Sequence, residues 1–354
     1  MNTIQKSIVK ELTLTFFITL AFLNLILMME KLFRLSRFLS GVGASALDMF
    51  KLILYIQPPM LLLTIPMALL LSILLVYGRL NLDSELVILR ASGMNFRGIS
   101  KPVFILGTIC FLINIAVSFY IGPKSSMLLR DKIAKVITSR LPLAFEAGTF
   151  NTTFKDIVFM IREKPTDDSF KGIFMYDGRN KDESRVLVAK AGKIYTSEGL
   201  FANLYLEDGY VHIPQGDTTT ELFFEKYNMH LTLESDLPAK NIAERTPFEL
   251  LKEMRENTQL SLSLQLELHR RITLPLFCII LMFLGPPLSL IAGKSGRLGG
   301  LAIGLVVFTS YYILLVYGEN LVRADTIAPY IGAWTPTILF GMLGLYLFRR
   351  AGKR

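Results

Sequence analysis

Six long apolar runs, separated by polar segments, dominate the pattern of the chain. They lie near Leu12–Met29, Leu52–Tyr77, Pro102–Ile121, Ile272–Ala292, Leu298–Tyr317 and Trp334–Phe348. An α-helix needs about 20 apolar residues to cross the hydrocarbon core of a bilayer, and only the last run is clearly shorter. The pattern predicts an α-helical polytopic membrane protein with six transmembrane helices.

The first run has some features of a secretory signal peptide, because Lys6 and Lys10 precede it. No small-residue cleavage site follows, and the run leads instead into Glu30-Lys31-Leu32-Phe33-Arg34. We therefore expect a first span that is retained rather than removed.

The hydropathy pattern changes between the third and fourth runs. Short β-branched or aromatic segments occur there, at residues 156–162, 172–176, 185–189, 200–206 and 221–225. Turn pairs such as Asp177-Gly178 and Asp208-Gly209 separate them. Several short strands at this spacing predict an all-β domain, either a sandwich or a β-jellyroll-like fold.

The β segments divide the chain into three predicted parts. Residues 1–121 carry three spans, residues 122–245 form the β insert, and residues 246–354 carry a connecting helix and the last three spans. Thr246-Pro247, with Glu249 three residues after the threonine, predicts the start of that connecting helix, since threonine caps well and proline suits the first helical position.

Composition and charge agree with a membrane protein. The chain is 52% hydrophobic, with a mean hydropathy of +0.46 and a formal charge of +9. Aromatic and basic residues never interleave on a polar segment, so no nucleic-acid partner is expected. The positive-inside rule places both termini in the cytoplasm and the β insert on the opposite side of the membrane. The basic residues that set this orientation are Lys6, Lys10, Arg79, Arg90, Arg97, Lys101, Lys294, Arg297, Arg349, Arg350, Lys353 and Arg354.

The chain shows no motif for catalysis, metal binding or nucleotide binding. The histidines at 212, 230 and 269 are too scattered for a metal pair, and no CxxC occurs. Gly293-Lys294-Ser295 resembles the end of a phosphate-binding loop, but Leu288 stands where the first glycine is needed. We therefore predict that the chain is not an enzyme and holds no cofactor of its own.

Several residues within the spans have expected structural roles. Asn24 and Asn114 lie deepest among the polar residues, and interhelical hydrogen bonds are favoured for them over roles in transport. Gly300 and Gly304 permit a close helix approach. The prolines of the second and fourth spans predict kinks or local unwinding, with a bundle-shaping role as plausible as a role in opening. These prolines are Pro58, Pro59, Pro66, Pro286 and Pro287.

A basic group follows the first span at the predicted outer surface. Lys31, Arg34 and Arg37 are spaced three residues apart and share one face of a continuing helix. Positive charge there runs against the positive-inside preference. Two interpretations stay open: snorkelling to lipid phosphates, or a site for a phosphorylated ligand approached from the outer leaflet.

The connection between the second and third spans contains a short apolar helix. Asp83 or Ser84 is expected to cap it, Glu85 suits its N-terminal end, and Gly93 supplies a left-handed stop. The segment 86–89 is too apolar for a free loop and too short to span. Docking in a groove of a partner is favoured, with packing against the chain's own helix ends as the alternative.

These segments resemble a known family. Gly78-Arg79-Leu80, Ser84-Glu85-Leu86-Val87 and Ala91-Ser92-Gly93 resemble the same connection in the LptF/LptG permeases of lipopolysaccharide export. The order of three spans, β domain and three spans extends the resemblance to essentially the whole chain. Residues 30–34 and the segments 271–275 and 287–297 are more similar to LptF than to LptG.

The resemblance implies a half-transporter of the Gram-negative inner membrane. Its expected partners are a second, LptG-like permease, an LptB-like cytoplasmic ATPase dimer that binds ATP and Mg²⁺, LptC-like and LptA-like periplasmic bridge proteins, and lipopolysaccharide. The connecting helix would couple to the ATPase. The coupling residues are Asp83, Ser84, Glu85, Leu86, Ile88, Leu89, Arg90, Ala91, Ser92 and Gly93.

The same resemblance implies a lipid cavity beside the first and fifth spans. Lys31 and Arg34 match basic positions of the family there, and Arg37 is an extrapolation. Lateral-gate and acyl-chain contacts are expected at Phe22, Leu25, Leu305, Phe308 and Tyr312. The alternative function is a membrane scaffold or mechanotransmission subunit that contacts an ATPase without carrying lipid; a secondary transporter is less favoured, because no repeat relates the two helical halves.

Overall fold

The computed structural model describes most of the 354 residues. The exceptions are 1–2, 41–44, 141–146, 155, 167, 180–183, 197–200, 216–217, 233–241, 257–260, 293–295 and 354. The predicted cytoplasmic turn at Lys294 lies outside the described residues, and so do the side chains of Arg34, Arg37 and Arg297.

Nine α-helices and six strands are described. The helices are α1 Thr3–Ser40, α2 Ala46–Leu82, α3 Glu85–Ala91, α4 Phe96–Ala116, α5 Gly122–Arg140, α6 Pro247–Glu256, α7 Ser261–Ala292, α8 Gly296–Arg323 and α9 Pro329–Lys353. A π-helical segment, Val117–Ile121, joins α4 to α5 without a break. Six helical stretches are long and apolar enough to cross a membrane, which confirms the predicted spans.

The chain divides into two compact units. The first comprises Met1–Glu30, Leu54–Met127 and Lys240–Arg354, and the second comprises Lys31–Ile53 and Leu128–Ala239. The helical core belongs to the first unit and the β-sheet to the second. The limits predicted for the insert, 122 and 245, remain a prediction from the sequence.

Two spans form the centre of the helical unit. In the most apolar window of α2, 67% of the residues are buried, and in that of α7, 61%. The two deep asparagines bridge helices here, as predicted. Asn24 accepts a hydrogen bond from the Thr64 hydroxyl at 3.4 Å, and the Asn114 amide donates to the Leu62 carbonyl at 3.3 Å.

Glycines allow the closest approaches between spans. A Cβ on Gly304 would lie 2.6 Å from Leu71 Cδ2, so α8 packs tightly on α2 as the Gly300–Gly304 spacing predicted. The prolines of α2 and α7 do not interrupt these helices, which remain α-helical through Pro58–Pro59 and Pro286–Pro287. Local unwinding, one of the two predicted outcomes, is therefore wrong.

We expect Gly332→Ala to weaken the contact between α8 and α9. A Cβ there would lie 2.5 Å from Val322 Cγ2 and 2.7 Å from the Gly318 carbonyl oxygen, which cannot move away. Overpacking of this kind costs roughly 1–3 kcal/mol, measurable as unfolding at lower temperature in detergent. Gly341→Ala on the same helix is the control, because its nearest neighbour would be 3.9 Å away; equal effects would contradict the packing argument.

The β unit contains one antiparallel sheet. Its strands are β1 Phe150–Phe154, β2 Ile157–Thr166, β3 Ser169–Asp177, β4 Arg185–Thr196, β5 Phe201–Gln215 and β6 Thr218–Thr232, and they pair in sequence order. The all-β insert is thus confirmed. The described strands form an up-and-down meander rather than the crossed connections of a jelly roll, and β1 was not predicted.

The alternation of inward and outward side chains shifts in the middle of β3 and β5. Phe159, Met175 and Leu187 form one cross-strand row, in which Phe159 pairs with Met175 and Met175 with Leu187. Gly172 and Asp208 adopt positive φ angles, 63° and 52°, beyond which inward positions shift by one residue. This shift explains why the strict alternation of apolar and polar residues covers only part of β3 and of β5.

The connecting helix α6 begins as predicted. The Glu249 carboxylate accepts from the Thr246 backbone N–H at 2.7 Å, and Thr246 Oγ1 accepts from the Glu249 N–H at 3.4 Å. This reciprocal pair is a capping box, with Pro247 at the first helical position.

Candidate functional site

The short helix α3 has a well-defined C-terminal end. Gly93 has a φ of 86°, its N–H donates to the Arg90 carbonyl at 3.0 Å, and the Met94 N–H donates to the Leu89 carbonyl at 3.1 Å. These two bonds form a Schellman motif, which confirms the predicted left-handed stop.

The N-terminal end of α3 differs from the prediction. Ser84 occupies the N-cap position, but it is itself left-handed, with a φ of 59°, and its side chain makes no capping hydrogen bond. The Asp83 carboxylate instead accepts from Arg79. Side-chain capping by Ser84 is therefore wrong, because the left-handed backbone turns its hydroxyl away from the first turn.

One face of α3 is buried and the other is open. Leu86 is 4% exposed and belongs to the helical core, whereas Val87 and Ile88 are 61% and 64% exposed. Sequence reasoning had omitted Val87 from the coupling residues. The packing alternative is thus observed, because α3 packs on its own bundle through Leu86. Docking in a groove of a partner stays a prediction.

Arg79 connects α3 to the first span. Its Nε and Nη2 donate to the two carboxylate oxygens of Glu11 at 2.8 Å each, a bidentate pair between α2 and α1. Its Nη1 donates to Asp83 and to Glu85, both at 3.1 Å. One guanidinium therefore holds carboxylates from α1, from the connection and from α3, a geometry that lysine lacks.

A cavity of about 320 Å³ lies beside this charge cluster. The N-terminal turns of α1, the end of α2 and α3 enclose it. It is lined by Ile4, Ser7, Ile8, Glu11, Arg79, Leu80, Glu85, Ile88 and Leu89. Ile88 and Leu89 of α3 and Ile4 and Ile8 of α1 supply much of its apolar lining, so α3 and the start of α1 share one cavity wall. Ile88 lies at the edge of this cavity, since it is also largely exposed.

The first and fifth spans are the least buried of the six. In their most apolar windows, 11% of the residues of α1 and 22% of those of α8 are buried, less than half of the share in α2 or α7. Phe22 and Leu25 are exposed on α1, and Leu305 and Tyr312 are exposed on α8. Phe308 is half-buried and stacks parallel to Tyr312 at 6.5 Å. Of the five predicted gate residues, two therefore lie on α1 and three on α8.

The predicted basic group lies on the last part of α1. Lys31 is half-buried and belongs to the second unit. Arg34 and Arg37 fall within the helix, while their side chains lie outside the described residues. The choice between snorkelling and ligand binding stays open for this group.

A buried charge cluster at the start of α7 was not predicted. Arg271 is 4% exposed and donates to Glu267 at 3.0 Å, to the Ala243 carbonyl at 3.1 Å and to the Arg245 carbonyl. Glu319 on α8 is 9% exposed and pairs with Arg270 at 3.4 Å. The Glu267–Arg271 spacing of four residues was a usable signal in the sequence.

Similarity to known proteins covers nearly the whole chain. The family described as "Lipopolysaccharide export system permease LptF/LptG" matches residues 6–350. The chain belongs to this family. Among curated proteins it is 24% identical to the lipopolysaccharide export system permease protein LptG of Escherichia coli K12 over 303 residues, which cover 80% of this chain and 81% of that protein.

Two other relatives match most of the chain. The chain is 21% identical to LptF of Escherichia coli K12 over 296 residues, 82% of this chain and 79% of that protein. It is 25% identical to an uncharacterized protein of Rickettsia prowazekii over 254 residues, 69% of this chain and 70% of that protein. The sequence identities to LptF and to LptG are similar, so these values do not test the prediction that the chain is more like LptF.

Membership of the LptF/LptG family, together with six spans, makes this chain a multi-pass inner-membrane permease of a lipopolysaccharide export system. Relatives carry the names of both LptF and LptG, which implies a pair of such permeases. The resemblance to the LptF/LptG family, which residues 78–93 indicated, is therefore confirmed.

Proposed function

We propose that this chain is one permease subunit of an ABC-type exporter that extracts lipopolysaccharide from the outer leaflet of the inner membrane. In this proposal an LptG-like second permease completes the lipid cavity, and a separate LptB-like ATPase dimer binds ATP and Mg²⁺. LptC-like and LptA-like bridge proteins receive the lipid in the periplasm. Both termini are cytoplasmic and the β-sheet is periplasmic.

The exposure of α1 and α8 carries this proposal. Both helices are apolar along their length, yet little of either is buried within the chain. Such faces require lipid or another apolar protein surface. A cavity shared with a second permease would line one side with Phe22 and Leu25 and the other with Leu305 and Tyr312, all exposed in this chain.

The surface of α3 supports an ATPase partner. The exposed pair Val87 and Ile88 stands beside Glu85, which is half-exposed although it pairs with Arg79. A helix with apolar anchors and one flanking carboxylate suits a groove that has an apolar floor and a basic rim. Closure of the ATPase dimer would then move α3, and the Arg79–Glu11 pair would pass this movement to α1.

The long edge of the sheet supports a periplasmic bridge partner. Of the described strands, β1 and β6 lie at the edges. β1 has five residues and an irregular register, whereas β6 has fifteen residues and carries Phe223, which is 81% exposed. Pairing with a further strand needs a long regular edge, so we assign the bridge contact to β6.

Co-purification tests the proposal as a whole. The chain is co-expressed with its neighbouring permease and ATPase genes, purified in mild detergent, and examined for ATPase activity and for bound lipopolysaccharide by mass spectrometry. Recovery of both is expected. An ATPase without bound lipid would favour the scaffold function, and recovery of neither would overturn the assignment of partners.

Ile88→Asp should reduce recovery of the ATPase with the permease pair. The substitution places a charge in the centre of the exposed α3 surface, where an apolar groove would have to desolvate it. We expect at least tenfold lower recovery of ATPase activity, because an uncompensated buried charge costs well over 1.4 kcal/mol. Leu298→Asp is the matched control, an exposed apolar residue at the start of α8; equal losses would indicate a general folding defect.

A photo-crosslinking amino acid at Phe223 should capture the bridge protein. The side chain projects from β6, and the added strand would lie next to it. The control position is Tyr176 on the interior strand β3, also exposed, where no strand can be added. Cross-links from position 176 but not from 223 would place the bridge on another surface.

A further inference from the structure

A groove lies between α4, α7 and α9, and none of its lining residues is among the proposed lipopolysaccharide contacts. Its volume is about 280 Å³, and six residues line it: Arg97, Phe104, Phe283, Leu345, Phe348 and Arg349. Four of these residues are apolar and two are arginines. All belong to the helical unit.

The apolar wall of the groove is rigid. Phe104, Phe283 and Phe348 come from three different helices, and their ring centroids are 5.1, 5.5 and 5.7 Å apart in the three pairs. All three pairs are edge-to-face, an arrangement that adds to apolar burial. The three packed rings therefore form a preformed aromatic slot wall, an apolar surface on which part of a hydrocarbon chain can lie.

The cations of the groove lack counter-ions. Arg97 and Arg349 are exposed, and no acidic side chain among the described residues lies within 4 Å of either. A second cavity of about 600 Å³ shares Leu345 and Arg349 with the groove and adds Arg350 and Lys353, which are also unpaired within the described chain. Arg79, by contrast, has three carboxylate partners.

We propose that this groove binds an anionic phospholipid. The aromatic slot would hold part of an acyl chain, and Arg97 and Arg349, with Arg350 and Lys353 beside them, would bind the headgroup phosphate. Arginine pairs well with phosphate, and a basic site beside an apolar slot at the end of a span has the chemistry of a lipid headgroup site. A soluble anion would explain the cations but not the aromatic slot.

The site lies apart from the export substrate. Arg97 lies in the first turn of α4, shortly after α3, and Arg349 lies near the end of α9, so both stand at the end of the bundle that carries the basic residues. In the orientation proposed above this end faces the inner leaflet, whereas lipopolysaccharide is taken from the outer leaflet. The bound lipid would therefore be a resident membrane lipid, and its binding does not depend on transport.

Native mass spectrometry of the complete chain, co-purified with its partners where they are recovered, tests the site. The probes are phosphatidylglycerol and phosphatidylethanolamine with identical acyl chains, added at equal concentration after delipidation. We expect preferential retention of phosphatidylglycerol. The variant Arg97→Gln/Arg349→Gln should weaken this retention about tenfold or more, since each basic residue strengthens binding to anionic lipid by roughly fivefold.

Two further variants make the outcome specific. Lys6→Gln/Lys10→Gln removes the same charge from the same end of the bundle, outside the groove, and should retain wild-type binding. Leu345→Trp keeps all four cations but fills the slot, and should also weaken retention. Equal retention of the two lipids, or equal loss in both charge variants, would overturn the site. So would unchanged lipid binding with lower ATPase recovery for Arg97→Gln/Arg349→Gln, which would assign the cations to a protein contact.

Discussion

Glu85→Arg should abolish lipopolysaccharide-stimulated ATP hydrolysis by the assembled exporter. Arg79 Nη1 lies 3.1 Å from the Glu85 carboxylate, so a second guanidinium there would face Arg79 directly. Like charges at this distance repel, so α3 would lose its ion pair with Arg79. The new positive charge would also repel the basic rim of the proposed ATPase groove. We expect at least a hundredfold loss of stimulated activity, since opposing a close charge pair across an interface costs roughly 3 kcal/mol or more.

Companion variants separate the two roles of Glu85. Glu85→Gln removes the charge but keeps the shape, and should give a smaller loss. Glu11→Gln breaks the bidentate link between α1 and Arg79 while leaving the outer surface of α3 unchanged. Under the coupling proposal, Glu11→Gln retains ATPase recovery and loses lipid release. Wild-type hydrolysis and wild-type recovery in Glu85→Arg would refute the coupling role of α3.

Local patterns predicted the elements of the helical unit well. A span is encoded in about 20 neighbouring residues, and a Schellman stop or a capping box in five or fewer, so Gly93, Thr246 and Glu249 were readable from the chain alone. Asn24 and Asn114 were also interpretable, because a polar side chain deep in a span has few alternatives to bonding a neighbouring helix.

Contacts between distant residues were not predictable in the same way. Arg79 meets Glu11 across 68 residues of chain, and its choice of three carboxylates depends on how α1, α2 and α3 pack. The π-helical segment at Val117 has no compositional signal. In the β unit, the positive φ angles at Gly172 and Asp208 shift the inward positions of β3 and β5, so alternation along these strands fails although the β3–β4 and β4–β5 registers are continuous.

Arg271→Met should destabilise the helical unit more than any other single change considered. Four hydrogen-bond acceptors depend on this guanidinium: the Glu267 carboxylate, and the backbone carbonyls of Ile242, Ala243 and Arg245 in the segment that precedes α6. Methionine matches the volume but donates nothing. Removing one partner of a buried ion pair costs about 3–5 kcal/mol, because the remaining charge loses its partner in a poorly solvated site. Glu267 would keep only the longer pair with Arg270, at 4.0 Å. Thermal unfolding in detergent measures the loss directly.

The control lies next to it in the chain. Arg270→Met removes an equally charged side chain that is about one-third exposed. It deprives Glu319 of its partner at 3.4 Å but leaves the carbonyls of residues 242–245 bonded to Arg271, so we expect a smaller loss of stability there. Arg271→Lys should rescue only part of the stability, since one ammonium cannot serve a carboxylate and several carbonyls in a fork geometry. Limited proteolysis gives a second measurement: residues 242–256 should become cleavable in Arg271→Met before the spans unfold. Equal stability of the two methionine variants would show that Arg271 does not hold this segment to α7.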